Sequence, residues 1–336
     1  MKITMKDIAE EAKVSIATVS HVLNNKPGRV SDAMREKIKK IAREKKYVTN
    51  HTARQLATNK SNTIGIIVPD LENYFFASMV SRLQAKMRER GYFVLVVTSN
   101  DEIRNDLEGI RLLVSRGIDL LAISVSNAAQ NHPEEYLSML EDLSVPAIMI
   151  DRIIKEFKGS KIRFDDFSGM NKLTEYVIDN HHRKIAFLNG DMNMARTAGR
   201  IQGFLASMEA HGCAVDQKDI YDGDYSFESG YALFDAIYDQ HTYTAIIAAN
   251  DMMAYGLMNR AIERGLTLPD DISISGYDNV IFSEMLNPSL TTVNQDMNSL
   301  MDEVLRVIDL SLKDPHYSEN IIIDTQLIKR NSVGSI

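Results

Sequence analysis

Short apolar runs alternate with amphipathic segments from Thr63 onward, and this alternation constrains the fold of the chain more than any other feature. The runs TIGIIVPD, YFVLVVTSN, DLLAISVS and VPAIMIDR alternate with helical patterns such as FFASMVSRLQAKMRERG and RNDLEGIRLLVSRG. A second series contains the runs RKIAFLNGD, TAIIAAND and DISISGYDN, followed by LTTVNQD, a helical pattern near residues 296 to 312 and the run NIIIDTQLI. Continuous apolar strands with crossover helices predict parallel sheets covered on both faces, and two series predict two lobes.

A ligand cleft is expected between these lobes. Ligands of open parallel sheets bind beyond the carboxyl ends of the strands, and two lobes facing each other place a cleft at those ends. The sequence therefore predicts a binding function for the body of the chain.

Charge divides the chain differently. Residues 1–60 contain ten Lys and four Arg against two Asp and four Glu, a net charge of +8, whereas the whole chain carries −8. The remaining residues therefore carry −16. Such a reversal of sign predicts a basic nucleic-acid-binding module attached to an acidic body, with a solvated basic arm as the alternative.

The basic segment has a helical pattern, which an arm does not need. Thr4 and Asp7 form the pattern of a capping box, and Ser15 and Ser31 are suited to cap a second and a third helix. Apolar residues recur at helical spacing after each cap: Ile8, Ala9, Ala12, Val19, Val22, Leu23, Met34, Ile38, Ile41 and Ala42. Three short helices around one small core are therefore expected, with a tight turn between the first two.

Membrane, disulfide and metal functions are not supported by the composition. No run approaches the roughly 18 apolar residues that span a bilayer, and the chain is expected in the cytoplasm. Cys213 is the only cysteine, which excludes an internal disulfide and a cysteine-based zinc site. His181 and His182 are adjacent and point in different directions on a helix, so we expect them at the surface rather than on a metal.

Catalytic signatures are also missing. The sequence contains no Gly-x-Gly-x-x-Gly, no phosphate-binding loop, no Gly-x-Ser-x-Gly and no His-Glu-x-x-His. We expect neither a catalytic site nor a cofactor.

The stretch ITMKDIAEEAKVSIATVSHVLNNK resembles the helix-turn-helix headpiece of the lactose repressor (LacI/GalR) family of bacterial transcription regulators. PDLENYFF, VPAIMIDR, RIQGF, ANDMMAYG, GYDN and LTTVNQ occur in the family's order, so the resemblance covers essentially the whole chain. It implies an all-α DNA-binding headpiece at 1–49, a hinge helix and linker at 50–61, and a two-lobed α/β body resembling periplasmic binding proteins at 62–336. The N-lobe would take about 62–160 plus 296–325, and the C-lobe about 161–292 plus 326–336.

The resemblance implies a homodimer whose second helices enter adjacent major grooves of a near-palindromic operator in double-stranded DNA. Ile16 and Ala17 are suited to thymine methyl groups and His21 to a guanine acceptor, since early residues of such a helix meet base edges. Contacts to phosphate oxygens are expected from Ser15, Thr18 and Asn24.

The same resemblance implies a role in DNA binding for the hinge. Leu56 matches the leucine that the family inserts into the minor groove, where an apolar wedge unstacks a base step, and Arg54 would lie close to the DNA backbone. Packing of Leu56 against the partner's hinge is the alternative. Two residues depart from the family's pattern. Lys13 stands where glycine is common in the tight turn between the first two helices, so a left-handed conformation there would be strained. Thr49 replaces a common proline just before the hinge, which leaves the hinge less pre-set.

An effector is expected in the cleft, and the resemblance implies a sugar or sugar derivative. Sugars offer apolar faces to aromatic rings and a rim of hydroxyls to polar side chains. The matching positions are Asn73, Phe75, Phe76, Asp151, Arg152, Tyr225, Asn250, Asp278 and Gln295. Core packing is the alternative for the phenylalanines, and helix capping for Asp251 and Asp278. An arginine of many relatives is replaced by Ala198, with Arg196 as its expected substitute, and Tyr74 replaces a proline.

The leading prediction is thus an effector-controlled repressor of carbohydrate-utilisation genes. A purine-type regulator that needs a co-repressor stays open because TVSHVLN resembles that branch, as does the choice between inducer and co-repressor. A transport-type or cytoplasmic sugar-binding protein and a sugar-processing enzyme share the body but not the +8 headpiece. The chain ends soon after LIKRNSV, without a leucine-heptad tail, so a dimer is expected. A phosphocarrier co-regulator, as some relatives use, also stays open.

Overall fold

The fold was analysed in a computed structural model of the 336-residue chain. The structure describes residues 3–23, 30–47, 60–131, 133–190, 195–240 and 242–336, without the side chains of 130, 131 and 195–198. The chain divides into two compact units, Met1–Ser61 and Asn62–Ile336.

The first unit contains three helices around a small apolar core. These are α1 (Met5–Ala12), α2 (Ile16–Leu23) and α3 (Asp32–Glu44). Thr4 caps α1 in the expected capping box, and the side chain of Ser31 accepts a hydrogen bond from the Met34 amide at the start of α3. Val19 and Val22 are fully buried, each worth about 1.5 to 3 kcal/mol when removed from water. The predicted helical pattern is therefore present in this unit.

The first sheet of the second unit has the strand order β11-β5-β4-β3-β1-β2 and is parallel throughout. Its strands are β1 (Thr63–Val68), β2 (Phe93–Thr98), β3 (Leu120–Ile123), β4 (Ala147–Ile150), β5 (Ser160–Phe164) and β11 (Asn320–Ile323). Its helices are α4 (Tyr74–Glu89), α5 (Ile103–Ser115), α6 (Asn127–Asn131), α7 (Pro133–Glu141) and α12 (Met297–Ser311). Helices α4 and α12 share a buried cluster with the strands, and α5 and α7 share a second one. Both faces are thus covered, which makes this the N-lobe.

The second sheet has the strand order β12-β10-β9-β8-β6-β7, and only the pairing of β12 with β10 is antiparallel among its described strands. Its strands are β6 (Ile185–Asn189), β7 (Ile220–Asp222), β8 (Ala245–Ala248), β9 (Ser273–Asp278), β10 (Thr291–Asn294) and β12 (Gln326–Ile328). Its helices are α8 (Asp166–Asp179), α9 (Ala195–Ala210), α10 (Phe227–Tyr238) and α11 (Asp251–Glu263). A large buried cluster joins these helices to the strands and defines the C-lobe.

The chain crosses between the lobes at positions that periodicity did not fully reveal. The strand β5 belongs to the first sheet, so the first crossing lies after Phe164 rather than near residue 160. The run NIIIDTQLI, expected as one strand, is two strands in different sheets. The strand β7 has half-buried and exposed residues, and its short run was missed. Short strands at a sheet edge carry too few buried positions for a clear pattern.

The adjacent histidines require a correction. His181 is exposed as expected, but His182 is buried. Its Nδ1 lies 2.8 Å from Thr244 Oγ1 and its Nε2 lies 3.1 Å from the Gly334 carbonyl oxygen. Both ring nitrogens have partners, which allows a polar ring to be buried. His182 thus joins the C-terminal segment to the C-lobe.

Candidate nucleic-acid interface and ligand cleft

The exposed face of α2 presents the three side chains predicted to contact bases. Ile16, Ala17 and His21 are exposed, and Ile16 is 49% exposed although it is a large apolar residue. Ser15, predicted to contact a phosphate, is exposed just before the helix. Thr18 is half-buried, and its amide donates to Ser15 Oγ at 3.1 Å. Ser15 therefore caps the helix, and its hydroxyl is already engaged in a local hydrogen bond.

The turn before α2 adopts the backbone conformation that glycine favours. Lys13 has φ 59° and ψ 47°, in the left-handed region. Its amide and that of Val14 donate to Glu10 and Ala9 carbonyls, which closes α1. The expected strain at Lys13 is therefore present. Thr49, Asn24, Arg54 and Leu56 lie outside the described residues, so the hinge and the end of the recognition surface stay predictions.

The carboxyl ends of the strands in the two lobes open onto two cavities. The larger one, of about 650 Å³, is lined by residues of both lobes, including Asn73, Phe76, Arg152 and Tyr225. The smaller one, of about 280 Å³, is lined by Phe75, Asp278 and Gln295 among others. The structure thus divides these predicted residues between two spaces. Asp151 and Asn250 line neither cavity, and the side chain of Arg196 is outside the described residues.

Both phenylalanines combine core packing with a place beside a cavity. Phe75 is 5% exposed and Phe76 is fully buried. Their rings lie 5.3 Å apart in an edge-to-face arrangement, and Phe75 also contacts Phe164. Asn73 caps α4, because its Oδ1 accepts the Phe75 amide at 3.0 Å. The β1–α4 loop is therefore held firmly where it meets the cavities.

A hydrogen-bonded group from three strand ends forms the N-lobe side of the larger cavity. Arg152 Nη1 lies 2.8 Å from Asp101 Oδ1, and the guanidinium stands 5.2 Å from the centre of the Phe76 ring. Asp101 also accepts hydrogen bonds from the amide and side chain of Asn127. Sequence analysis missed Asp101 and Asn127. Both follow apolar strands, and ligands of parallel sheets bind beyond such strand ends, so this position is the signal that could have found them.

A buried arginine in the C-lobe pairs with two carboxylates, one of which, that of Asp278, lines the smaller cavity. Arg200 is 1% exposed; its Nε lies 3.1 Å from Asp166 Oδ1 and its Nη2 lies 3.4 Å from Asp278 Oδ1. Its Nη1 donates to the Ala249 carbonyl, and the guanidinium lies 3.8 Å from the centre of the Tyr277 ring. Burial lowers the pKa of Arg200, but Asp166 and Asp278 raise it by more, so the side chain stays charged.

Arg200 changes the expectation drawn from Ala198. The loss of an arginine there was expected to remove a charged clamp unless Arg196 supplied one. The structure shows a guanidinium from Arg200, the first residue of RIQGF, paired with the predicted effector residue Asp278. The motif was visible in the sequence, but the pairing was not, because the two residues are 78 positions apart.

Neighbouring residues fix the backbone around this group. Asn250 Oδ1 accepts the Met253 amide at 3.0 Å and its Nδ2 donates to the Tyr225 carbonyl at 2.9 Å. Asn250 is therefore engaged in capping α11 and holding the loop of Tyr225, which has φ 68°.

Asp251 ties α11 to the loop after β9. Its carboxylate accepts hydrogen bonds from the Val280 amide, Ser283 Oγ and Thr292 Oγ1 at 2.6 to 2.8 Å. Burial and the nearby Asp278 raise the pKa of Asp251 to about 7. The Asp251 side chain thus fixes the loop that follows Asp278 through these hydrogen bonds.

Gln295 offers hydrogen-bonding groups to the smaller cavity. It is 3% exposed, and neither Nε2 nor Oε1 has a hydrogen-bond partner among the described residues. A buried amide of this kind is costly unless a ligand or water completes it. Tyr74, at the border of the same cavity, contacts Phe282 of the other lobe with ring centroids 5.9 Å apart. The smaller cavity is therefore lined by a buried amide and bordered by an aromatic contact between the lobes.

Known protein families match both compact units of the chain. Residues 4–50 match the model of bacterial regulatory proteins of the lacI family, and residues 61–331 match the model of periplasmic binding proteins and the sugar-binding domain of the LacI family. The chain belongs to the LacI family. It is accordingly a DNA-binding transcriptional repressor with an effector-binding domain, and not an enzyme.

Relatives of the LacI family cover the whole chain. The HTH-type transcriptional repressor PurR of Vibrio vulnificus is 31% identical over 336 residues, covering 99% of each protein. The HTH-type transcriptional regulator DegA of Bacillus subtilis is 30% identical and covers 100% of this chain and 99% of its own length. A crystal structure of the lac repressor dimer bound to operator and the anti-inducer ONPF superposes with a TM-score of 0.87, 26% identity and full coverage of both chains.

The part of the chain that the structure describes contains neither a membrane-spanning helix nor a metal-binding cluster. No helix there has the length and apolar character needed to cross a membrane. No group of three or more His, Cys, Asp or Glu side chains there is arranged to hold a metal ion.

Proposed function

We propose that this LacI-family repressor controls carbohydrate-utilisation genes and responds to a sugar or sugar derivative bound between its lobes. The observation that carries the proposal is the cavity of about 650 Å³ lined from both lobes, where the Phe76 and Tyr225 side chains and polar strand-end groups meet. Its size lies within the range of small-molecule sites. A repressor that binds operator DNA acts in the cytoplasm.

DNA recognition is assigned to the exposed face of α2. Ile16 and Ala17 would contact thymine methyl groups, and His21 would donate to a guanine acceptor. Ser15, Thr18 and Asn24 would donate hydrogen bonds to phosphate oxygens, since the hydrogen bond between the Ser15 and Thr18 hydroxyls uses only one of their two O–H groups.

The hinge is proposed to link the effector site to DNA affinity. Leu56 would enter the minor groove with Arg54 near the backbone. Leu56→Ala should weaken operator binding about tenfold and leave effector binding intact, because only the wedge is lost. Fluorescence anisotropy with an operator duplex measures the first, and calorimetry the second. Unchanged operator affinity would remove the wedge from the mechanism.

The effector is proposed to act by changing how the two lobes are arranged. Residues of both lobes line each cavity, so a ligand there contacts both and favours one arrangement over another. An inducer would favour the arrangement with low operator affinity, and a co-repressor the opposite.

A purine-type effector is the second candidate. The full-length similarity to PurR favours it, as does the unpartnered amide of Gln295, whose donor and acceptor also suit the edge of a nucleobase. This candidate differs from the first in the ligand and in the genes that the repressor would control.

The experiment for the proposed function is a selection of genomic fragments on the purified protein at near-physiological salt. Enrichment of one near-palindrome upstream of carbohydrate genes would support the proposal, and enrichment upstream of nucleotide genes would favour the purine-type candidate. If no fragment is enriched, the selection is repeated with sugars, with purines and with a phosphorylated phosphocarrier protein. Absence of sequence-specific binding under all these conditions would contradict the proposal.

A further inference from the structure

The larger cavity is lined by an excess of carboxylates. Asp70 and Glu72 reach it from the N-lobe loop after β1, Asp224 from the C-lobe loop before α10, Glu228 from the first turn of α10, and Asp101 from the N-lobe. Among the described residues that line it, Arg152 is the single basic side chain, so the lining carries one positive and five negative charges, a net charge of −4. A cleft of one sign concentrates the opposite charge.

The single cation does not offset this field for a ligand. Arg152 is paired with Asp101 at 2.8 Å and its side chain is 7% exposed, so its charge is directed at a protein carboxylate.

Hydrogen-bonding groups in the cavity point to the same kind of ligand. Asn127 is 3% exposed, donates through Nδ2 to Asp101, and has no partner for Oδ1 among the described residues. A buried acceptor of this kind needs a donor from whatever fills the cavity. Burial raises the pKa of Asp224, but hydrogen bonds from Ser226 and Ser229 lower it by more. The pKa therefore lies below the ordinary value, and the Asp224 side chain is ionised. The cavity therefore offers acceptors and negative charge.

Aromatic rings add to the attraction for a cation. Phe76, Tyr225 and Phe227 line the cavity beside the carboxylates. The face of an aromatic ring attracts an ammonium group and also stacks on the apolar face of a sugar ring. The described side chains form no cluster able to hold a metal ion, and the rings suit an organic cation.

We propose that the effector is a hydroxylated ring that carries a protonated amine, as in amino sugars, and that sugar phosphates and sugar acids are rejected. This rests on the proposed function, because it specifies the ligand of the same cleft. The amine would lie between Glu72 of the N-lobe and Glu228 of the C-lobe, and would thereby offset the repulsion among the carboxylates that line this cavity.

The test is isothermal titration of the full-length protein with glucosamine, glucose and glucose 6-phosphate. We expect glucosamine to bind at least about tenfold more tightly than glucose, and glucose 6-phosphate not to bind. Equal affinities for glucosamine and glucose, tighter binding of the phosphate, or no binding of glucosamine would each overturn the inference.

Two variants separate the charge effect from a general loss of structure. Glu72→Gln combined with Glu228→Gln should reduce the preference for glucosamine over glucose at least about threefold and leave glucose affinity unchanged. The matched control is Glu209→Gln, an exposed carboxylate on α9 that lines neither cavity, which should keep the preference. Operator binding is measured on the same preparations, so a failed ligand test with intact operator binding rejects this inference and leaves the proposed function standing.

Discussion

At the scale of single residues, buried charges explain how the cleft is held. Arg200 is compensated by two carboxylates and a carbonyl, so its charge is retained inside the C-lobe. Breaking a buried pair on one side leaves the remaining charge poorly compensated, which destabilises the fold more than loss of a surface pair. Arg200 therefore has a structural role in the C-lobe, where it pairs with Asp278 of the smaller cavity.

Asp278→Asn is expected to abolish the effector response and to retain operator binding. The amide no longer matches the guanidinium of Arg200, although Asp166 keeps that charge compensated, so the free energy of unfolding should fall by only about 1 to 3 kcal/mol. Operator affinity is measured by anisotropy with and without the ligand that shifts the affinity of the wild type. Asp302→Asn, at an exposed position of α12, is the control, and a normal response of Asp278→Asn would remove this residue from the effector site.

His182 is expected to make the stability of the body depend on pH. Burial lowers its pKa below the ordinary 6.5, against the opposing effect of the Gly334 carbonyl. The unfolded chain therefore takes up a proton near pH 6.5 while the folded chain does not. Stability from this group is complete above pH 6.5 and falls as the pH drops below it, until the folded imidazole is also protonated.

The measurement is urea unfolding of the wild type and of His182→Asn between pH 5 and 7.5. Asp251, with a pKa raised to about 7, acts in the opposite direction in this window, since its contribution to stability falls as the pH rises. It is present in both proteins, so the difference between them isolates His182. His316→Asn, at an exposed histidine, should match the wild type, and a slope unaltered by His182→Asn would contradict the prediction.

At the scale of elements, the turn between α1 and α2 combines a left-handed residue with well-formed helix ends. Lys13→Gly should stabilise this pair of helices by about 0.5 to 1 kcal/mol, because glycine reaches φ 59° without the steric cost that a Cβ imposes. Hydrogen exchange of peptides from residues 5–23 should slow about two- to fivefold. Lys13→Ala removes the same charge but keeps the Cβ, so it should show no such slowing; equal effects of the two variants would assign the change to charge.

Sheet elements show how far periodicity reaches. The buried strands β1, β3, β4, β6 and β8 were predicted because all or nearly all of their residues are apolar and buried. The edge strand β7 was missed, and NIIIDTQLI was joined, because the break at Asp324 and Thr325 resembles an ordinary polar pair. The sheet to which each half belongs depends on strand order, which local pattern does not contain.

At the scale of the whole molecule, exposed apolar residues support a homodimer. Phe93 and Leu95 on the edge strand β2 are 71% and 40% exposed, and Met285 of the C-lobe is 66% exposed. An exposed apolar edge strand is usually covered by a partner. We therefore propose a second copy of this chain, the partner expected from the sequence, as the occupant of this surface.

Leu95→Lys is expected to convert the dimer to a monomer, because burying an unpaired ammonium in an interface is costly. Sedimentation velocity at micromolar concentration should show halved mass, and operator affinity should fall at least about a hundredfold as one headpiece is lost. Leu112→Lys, at a 47% exposed position of α5, is the matched control and should remain dimeric. A dimeric Leu95→Lys protein would place the interface elsewhere.

The sequence by itself determined the headpiece, the parallel two-lobed body and the family. Apolar periodicity and helix caps involve near neighbours in the chain, so the sequence pattern contains the helices and buried strands. The family follows from motifs that occur in a fixed order along the chain. Only the tertiary structure decided that Arg200 pairs with Asp166 and Asp278, that His182 is buried, and that the predicted ligand residues divide between two cavities. These features depend on residues from distant segments meeting where the chain crosses between lobes, and the net charge of a cavity is a sum over such residues that no local pattern displays.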